Sequence, residues 1–324
     1  MHVFIDTNIL LNFFHFSKDD LDALKNVFAS HQQGAAQVHL TQQVCDEFKR
    51  NRENKIKDAL KRFKEVKFAA QLPSFMKGYE EYERISTLSA ELQLLVKAIA
   101  ERVHEDVLGK RLLADQLISD IFTRSNIIPT TTEIFSSASM RIAIGNPPGK
   151  AGSVGDAINW TTLLQQVPDN EAIHIVSEDG DFYSTLNEDA VNPFLEEEWS
   201  TRKGSEIHVY RTLSAFMKIH FDGVAFSFDR TKDSLISDLF TSANFAITHQ
   251  LIAKLETYSY FSQKEVERIL AATVANDQVR YIIFDDDVSD FLNRVAVPRL
   301  PSIAVLEQRE IVDRVIEKRK SAAQ

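Results

Sequence analysis

Cysteine is almost absent: the 324 residues include one, Cys45. A lone thiol cannot close an internal disulfide or build a zinc site, so a disulfide-stapled fold is excluded and a reduced, cytoplasmic setting is expected. No apolar run reaches the ~18 residues that a membrane span needs. The first residues, His2 to Ile5, read as a strand and lack the basic and apolar segments of a secretory leader, so none is expected. Internal repeats and low-complexity tracts are also lacking. Positive charge is in deficit, and a formal net charge of −10 argues against general binding to nucleic acid. The deficit is uneven, however. Between Lys49 and Lys67 nine basic residues are interrupted only by Glu53, Asp58 and Glu65, whereas Glu178 to Glu198 holds eight acids and no Lys or Arg. A local basic track is therefore compatible with overall acidity.

With 44% hydrophobic residues the chain can bury a sizeable core, and its length suggests two domains. His2–Asp6 reads as a short buried strand. Asp19–Ser30 has helical periodicity, with Leu21, Leu24, Val27 and Phe28 on one face. Val38–Thr41 reads as a second strand, and Thr41 is placed to cap the long helix that carries Glu47 and the basic run. Tyr79–Ser125 looks helical, with one apolar stripe at Leu88, Leu92, Leu95, Val96 and Ile99. A second stripe holds Leu112, Leu113, Leu117, Ile118 and Ile121. Pro129 and its threonines break this pattern.

The segment Gly145–Gly155 is the richest in Gly and Pro and reads as a loop. A helix is expected from about Asp156 to Gln166, strands at Ala172–Ser177 and His208–Tyr210, and a helix at Leu213–Phe221. Strands alternating with helices indicate an α/β domain with a mostly parallel sheet flanked by helices. After Asp229 the texture turns helical, at Ser234–Phe240, Asn244–Tyr258, Ser262–Val274 and Val288–Val295. The expected division is an α/β domain over 1–222, with a helical insertion at about 60–140, and a helical C-terminal domain over 230–324.

Acids stand where strands end or helices begin. Asp6 closes the first strand (VFIDTN). Glu47 lies early on the helix after the second (VCDEFKRN). Asp156 opens the helix after the Gly/Pro loop (SVGDAINW), and Asp179 and Asp181 follow the next strand (SEDGDF). In open parallel sheets, sites form at the carboxyl ends of the strands, so such acids converge from distant positions. Three or four carboxylates offer the oxygen ligands that hard cations such as Mg²⁺ take. Taken singly, each has a plainer reading: Asp6 and Asp156 as helix caps, Glu47 as a solvated residue, Asp179-Gly180-Asp181 as a turn. Their joint order carries the functional reading.

In that order (strand-Asp-Thr-Asn, a helical Glu followed by basic residues, Gly-Asp-Ala, then strand-Ser-x-Asp-x-Asp-Phe) the chain resembles the PIN-domain nucleases over roughly residues 1–220. It is most similar to larger bacterial members with a helical insertion. The resemblance implies a PIN-like, Rossmann-like sheet and one or two Mg²⁺ or Mn²⁺ ions. Matched residue by residue, Asp6, Glu47, Asp156 and Asp179 take the place of the metal-binding acids. Asp181 is either an outer helper or the ligand instead of Asp179. Asn8 and Ser177 take supporting places. The implied activity is metal-dependent hydrolysis of RNA to 5′-phosphate and 3′-hydroxyl ends, with DNA as the alternative substrate. A catalytically inactive scaffold that binds RNA or protein is the second reading.

Lys49, Arg50 and Arg52 start beside Glu47 and would meet substrate phosphates, Arg50 being best placed to share its face. Lys150 would touch phosphate from the Gly/Pro loop. That loop is not an ATP-binding P-loop: Gly145 to Gly149 is one residue too short, and Ala151 stands where Ser or Thr is required. Cys45 has no histidine partner to make it a nucleophile. An aspartyl phosphatase would want Asp where Asn8 stands. Asp285–Asp287 lacks EF-hand spacing. The C-terminal helices are expected to serve a homodimer or a regulatory protein partner.

Overall fold

The structure, a computed structural model, describes residues 1–28, 36–65, 73–149, 152–221, 227–258 and 260–322. Four strands form a parallel sheet in the order β2-β1-β5-β6: β1 (His2–Ile5), β2 (Gln37–Val38), β5 (Ile173–Val176) and β6 (Ile207–Tyr210). The register sets Val3 beside His174 and Ile5 beside Val176. Both β1 and β5 are buried throughout, which is why they read as unbroken apolar runs and not as alternating ones. The second strand expected from the sequence is divided. Gln37–Val38 joins β1, while β3 (Leu40–Thr41) pairs with β4 (Ile127–Ile128), a strand too short to show in the sequence.

Helices α1 (Thr7–Asn12), α2 (Lys18–Phe28) and α3 (Gln42–Glu65) follow the first strands. The expected helical stretch is formed by α4 (Glu80–Leu108) and α5 (Leu113–Arg124), with a break at 109–112. Next come α6 (Thr132–Ala143), α7 (Gly155–Gln166), α8 (Pro193–Lys203) and α9 (Leu213–His220). The core joins Phe4, Ile5, Val44, Phe48, Trp160, Ile175, Trp199 and Phe216 with the α5 stripe Leu117, Ile118 and Ile121. The α4 stripe joins no core: α4 buries no residue. Cys45 is buried, and burial pushes its thiol up to about 11, which leaves it unreactive at neutral pH.

A second apolar cluster runs from Leu235 to Val315, built by α10 (Ser227–Leu239), α11 (Phe245–Leu255), α12 (Gln263–Ala275), α13 (Asp277–Arg280), α14 (Asp286–Ala296) and α15 (Leu306–Ala322). Ser262 and Glu265 form a capping box at the start of α12. The acidic run at 285–287 is held by side-chain contacts: Asp285 and Asp287 meet His249 at 3.2 and 2.7 Å, and Asp286 pairs with Lys318. The expected division near 222–232 falls partly on residues outside those described. Gln263 N donates to Glu188 Oε1 at 2.8 Å, tying the helical cluster to the α/β part. No helix among the described residues is long and apolar enough to cross a membrane.

One cation of the basic run turns inward. Arg52 is buried and donates to both oxygens of Asp115, at 2.6 Å each, and to Val107 O at 3.0 Å. It staples α3 to the insertion and is not available to a phosphate. Breaking one partner of a buried pair leaves the other charge stranded, at a cost of about 3–5 kcal/mol. Arg52→Met should therefore destabilise more than the double variant Arg52→Met/Asp115→Leu, as read by urea unfolding. A double variant that loses the sum of the Arg52→Met and Asp115→Leu losses would show that the pair contributes no coupling.

Candidate metal centre at the carboxyl edge of the sheet

Each acid is delivered by its own local device. Asp6 follows β1 and caps α1, accepting from Thr7 N at 2.7 Å on Oδ1. Its Oδ2 accepts from Asn8 Nδ2 at 3.0 Å and Ser177 Oγ at 2.5 Å. Ser177 Oγ in turn accepts from Asp179 N at 3.0 Å. One hydroxyl thus links the ends of the adjacent strands β1 and β5, and Asn8 and Ser177 both donate to the Asp6 carboxylate. Thr7 Oγ1, beside them, is buried without a hydrogen-bond partner.

Thr41 sets the helix that carries Glu47. Its Oγ1 accepts from Val44 N at 3.1 Å, capping α3, and donates to Asn159 Oδ1 on α7 at 2.6 Å. The start of α7 lies close by. A Cβ added at Gly155 would stand 2.7 Å from Gln43 Nε2 and 3.7 Å from Glu47 Oε2. The glycine before Asp156 therefore allows α7 to approach the face of α3 that bears the glutamate. The plainer reading of Asp156 as a cap does not hold. The cap position of α7 is Val154, no side chain caps it, and Asp156 lies in the first helical turn.

Asp179 and Asp181 differ in attachment. Asp179 caps a short 3₁₀ turn by accepting from Asp181 N at 2.9 Å. Asp181 Oδ2 accepts from Gly149 N at 3.0 Å, across to the Gly/Pro loop. That loop is pinned a second time by buried Arg141, which donates to Pro147 O at 2.5 Å and pairs with Glu198. Glu198 also accepts from Trp160 Nε1 at 2.8 Å.

The charges of these acids are felt mutually. Burial pushes Asp6 up to about 6, and the charges of Glu47 and Asp179 push the same way. Asp156 is pushed up to about 7, first by burial, then by Asp6, Asp179, Glu47 and Asp181. All five acids therefore share one electrostatic site. Asp179 acts on Asp6 as well as Asp156, whereas Asp181 is prominent only for Asp156. Among the described residues, no three His, Cys, Asp or Glu side chains are gathered into a ready-formed cage. The donor set nevertheless fits a hard divalent cation: it is all oxygen, and its self-repulsion is what such a charge offsets.

Lys49 and Arg50 lie exposed on α3, just past Glu47, with Lys49 3.4 Å from Asp46. Lys150 lies outside the described residues. Several supports went unseen in the sequence. Gln43 donates to Glu47 at 3.4 Å, one helical turn before it. Tyr183 donates through its hydroxyl to Ser177 O at 2.8 Å, and the Arg211 guanidinium lies 3.5 Å over the Tyr183 ring. Arg211 also donates to Glu178 O at 3.2 Å, clamping the turn that bears Asp179. The aromatic after Asp181-Phe182 was a usable signal for Tyr183. Nothing near Arg211 in the sequence marked it.

No curated protein and no solved structure matches the chain. A family model described as PIN domain matches residues 3–182, a span that begins in β1 and ends just past Asp181. With the parallel sheet and its edge acids in place, the chain belongs to the PIN-domain family, whose members are generally nucleases and usually depend on a divalent metal.

Proposed function

We propose that this chain is a metal-dependent endoribonuclease that leaves 5′-phosphate and 3′-hydroxyl ends. The observation that carries the reading is the gathering of Asp6, Glu47, Asp156, Asp179 and Asp181 at strand ends and helix starts, close enough for the other four charges to raise the Asp156 carboxyl. A site that concentrates this much unneutralised negative charge at a strand edge suits a cation, and perturbed acids of this kind cluster at functional sites. Asp6, Glu47, Asp156 and Asp179 would hold Mg²⁺ or Mn²⁺, with Asp181 holding the Gly/Pro loop in place. A bound ion supplies acidity to water at neutral pH and offsets charge on the phosphate.

The chain's own residues do the rest. Asn8 and Ser177 fix the Asp6 carboxylate, Gln43 orients Glu47, and Lys49 and Arg50 offer exposed cations to phosphates that approach along α3. Water, and not a ribose hydroxyl, is the nucleophile, which sets the proposed end chemistry. RNA is preferred to DNA on the family resemblance. The second reading, an inactive PIN scaffold, draws on the lack of a ready-formed three-ligand group among the described residues.

The test incubates the full chain with end-labelled single-stranded RNA and matched DNA, in Mn²⁺, Mg²⁺ or chelator. RNA cleavage that needs metal and leaves 5′-phosphates is expected. Preferential DNA cleavage would replace the substrate, and no cleavage with either ion would leave the scaffold reading.

A further inference from the structure

Residues 80–108 form one long helix that the described residues of the rest of the chain leave uncovered. α4 runs for 29 residues, about 43 Å at 1.5 Å per residue, and buries none of them. Its half-buried positions include Tyr82, Ser89, Val96 and Val103, a line that repeats every seven residues and marks the side nearest the chain. Beside that line, Ile85, Leu88, Leu92, Leu95 and Ile99 are 41, 55, 41, 55 and 44% exposed. Their spacing alternates three and four, as the a and d positions of a coiled coil do. A helix that faced water on this side would be polar there; an apolar seam of this period calls for another helix.

We propose that α4 pairs with α4 of a second copy of this chain, in an antiparallel two-helix seam. Charge selects the direction. With Leu88 layered on Ile99 of the second copy, and Leu92 on Leu95 of the second copy, Arg84 lies alongside Glu105 of the second copy. Two-fold symmetry repeats that pair at the other end. A parallel seam sets Arg84 opposite Ser89 and gains no ion pair. The next layer out sets Ile85 against Arg102 of the second copy, and in the layer beyond it Glu81 faces Asp106 of the second copy, so charge ends the seam after about two heptads. A seam shorter than the ~3–4 heptads of an independent coiled coil gives a concentration-dependent dimer. The C-terminal helices, where a dimer contact was expected, place Val288, Phe291, Leu292 and Val295 of α14 in their own core.

Sedimentation equilibrium of the full chain over a concentration series tests this pairing, with a monomer–dimer equilibrium expected. Leu92→Glu should raise the dissociation constant about 100-fold by placing charge in the seam. At concentrations where the parent is monomeric its circular dichroism and thermal unfolding should match the parent's, because Leu92 packs into no core within one chain. Arg84→Glu and Glu105→Arg should each weaken the dimer about 3–10-fold, and the double variant should restore it. A monomer at every concentration overturns the proposal, as does a dimer that Leu92→Glu leaves intact. A dimer lost with Leu92→Glu but not rebuilt by the double charge exchange overturns the antiparallel pairing.

Discussion

Asp156→Asn is expected to lower metal-dependent cleavage by about 10³-fold, the largest effect of any single substitution in this protein. The change is nearly isosteric and leaves the start of α7 intact, since Val154 and not Asp156 holds the cap position. What it removes is one formal charge from a group acted on by four other carboxylates. A metal's stabilisation of transition-state charge is worth several kcal/mol, and each ~1.4 kcal/mol is a tenfold change in rate.

The neighbouring acids should grade below it in a definite order. Asp179→Asn should approach the same loss. Asp181→Asn should lose only about tenfold, because an amide oxygen can still accept from Gly149 N and hold the loop. Ser177→Ala should fall between, at about 10–100-fold, since it removes one of the two donors on Asp6 Oδ2 and the acceptor of the Asp179 amide together. Higher Mn²⁺ should recover much of the Ser177→Ala loss and little of the Asp156→Asn loss. Equal activity of Asp156→Asn and the parent would refute the site as assigned.

The second large effect is on stability, and its sign is opposite to that on activity. The carboxyls of Asp6 and Asp156 are raised in the folded chain, to about 6 and about 7, from an ordinary value near 3.8. A raised acid favours the fold while it is protonated. The stability is fully present below the unfolded value and is lost as pH rises through the folded values. In chelator, therefore, the site works against the fold at pH 7 and above. Asp156→Asn should then unfold at a higher temperature than the parent, by roughly 3–6 °C for about 1–2 kcal/mol in a domain of this size.

Divalent cation should reverse the order. It stabilises the parent by about 2.7 kcal/mol at a hundred times its dissociation constant, and should raise the variant's melting temperature far less. The scan belongs at pH 7–8. Below pH 6.5 the buried histidines act in the other direction, because burial lowers His39 and His174 to about 4 and the fold loses stability as they are forced to protonate. A variant less stable than the parent in chelator would remove the electrostatic account. A parent whose unfolding ignores both Mg²⁺ and Mn²⁺ would remove the cation.

How far the sequence led depends on the range of the interaction concerned. The strands β1 and β5 were legible because burial on both faces makes them continuous apolar runs. Helix α7 was legible from the Gly/Pro loop that precedes it. Helix α8 was hidden: PFLEEEWSTRK shows only Leu195 and Trp199 as buried apolar positions amid three glutamates, too few to mark a face. α6 was hidden by its serines and threonine, which favour caps and turns over helix interiors.

At the site, the sequence by itself determined which acids stand at strand ends and helix starts, because a strand's carboxyl end is fixed by where its apolar run stops. It also marked the apolar stripe of α4, since such a spacing is a purely local pattern. Tertiary structure alone decided three further matters. It tied Asp181 to Gly149 N, while Asp179 shares the Ser177 hydroxyl with Asp6. It withdrew Arg52 from the basic track into a pair with Asp115, 63 residues away. Among the described residues it left the α4 stripe uncovered while the α5 stripe entered the core. The physical reason is common to all three. A side chain's charge, fork or apolar face is written in its own residue, but its partner is chosen among groups that only the folded chain brings within a few ångströms.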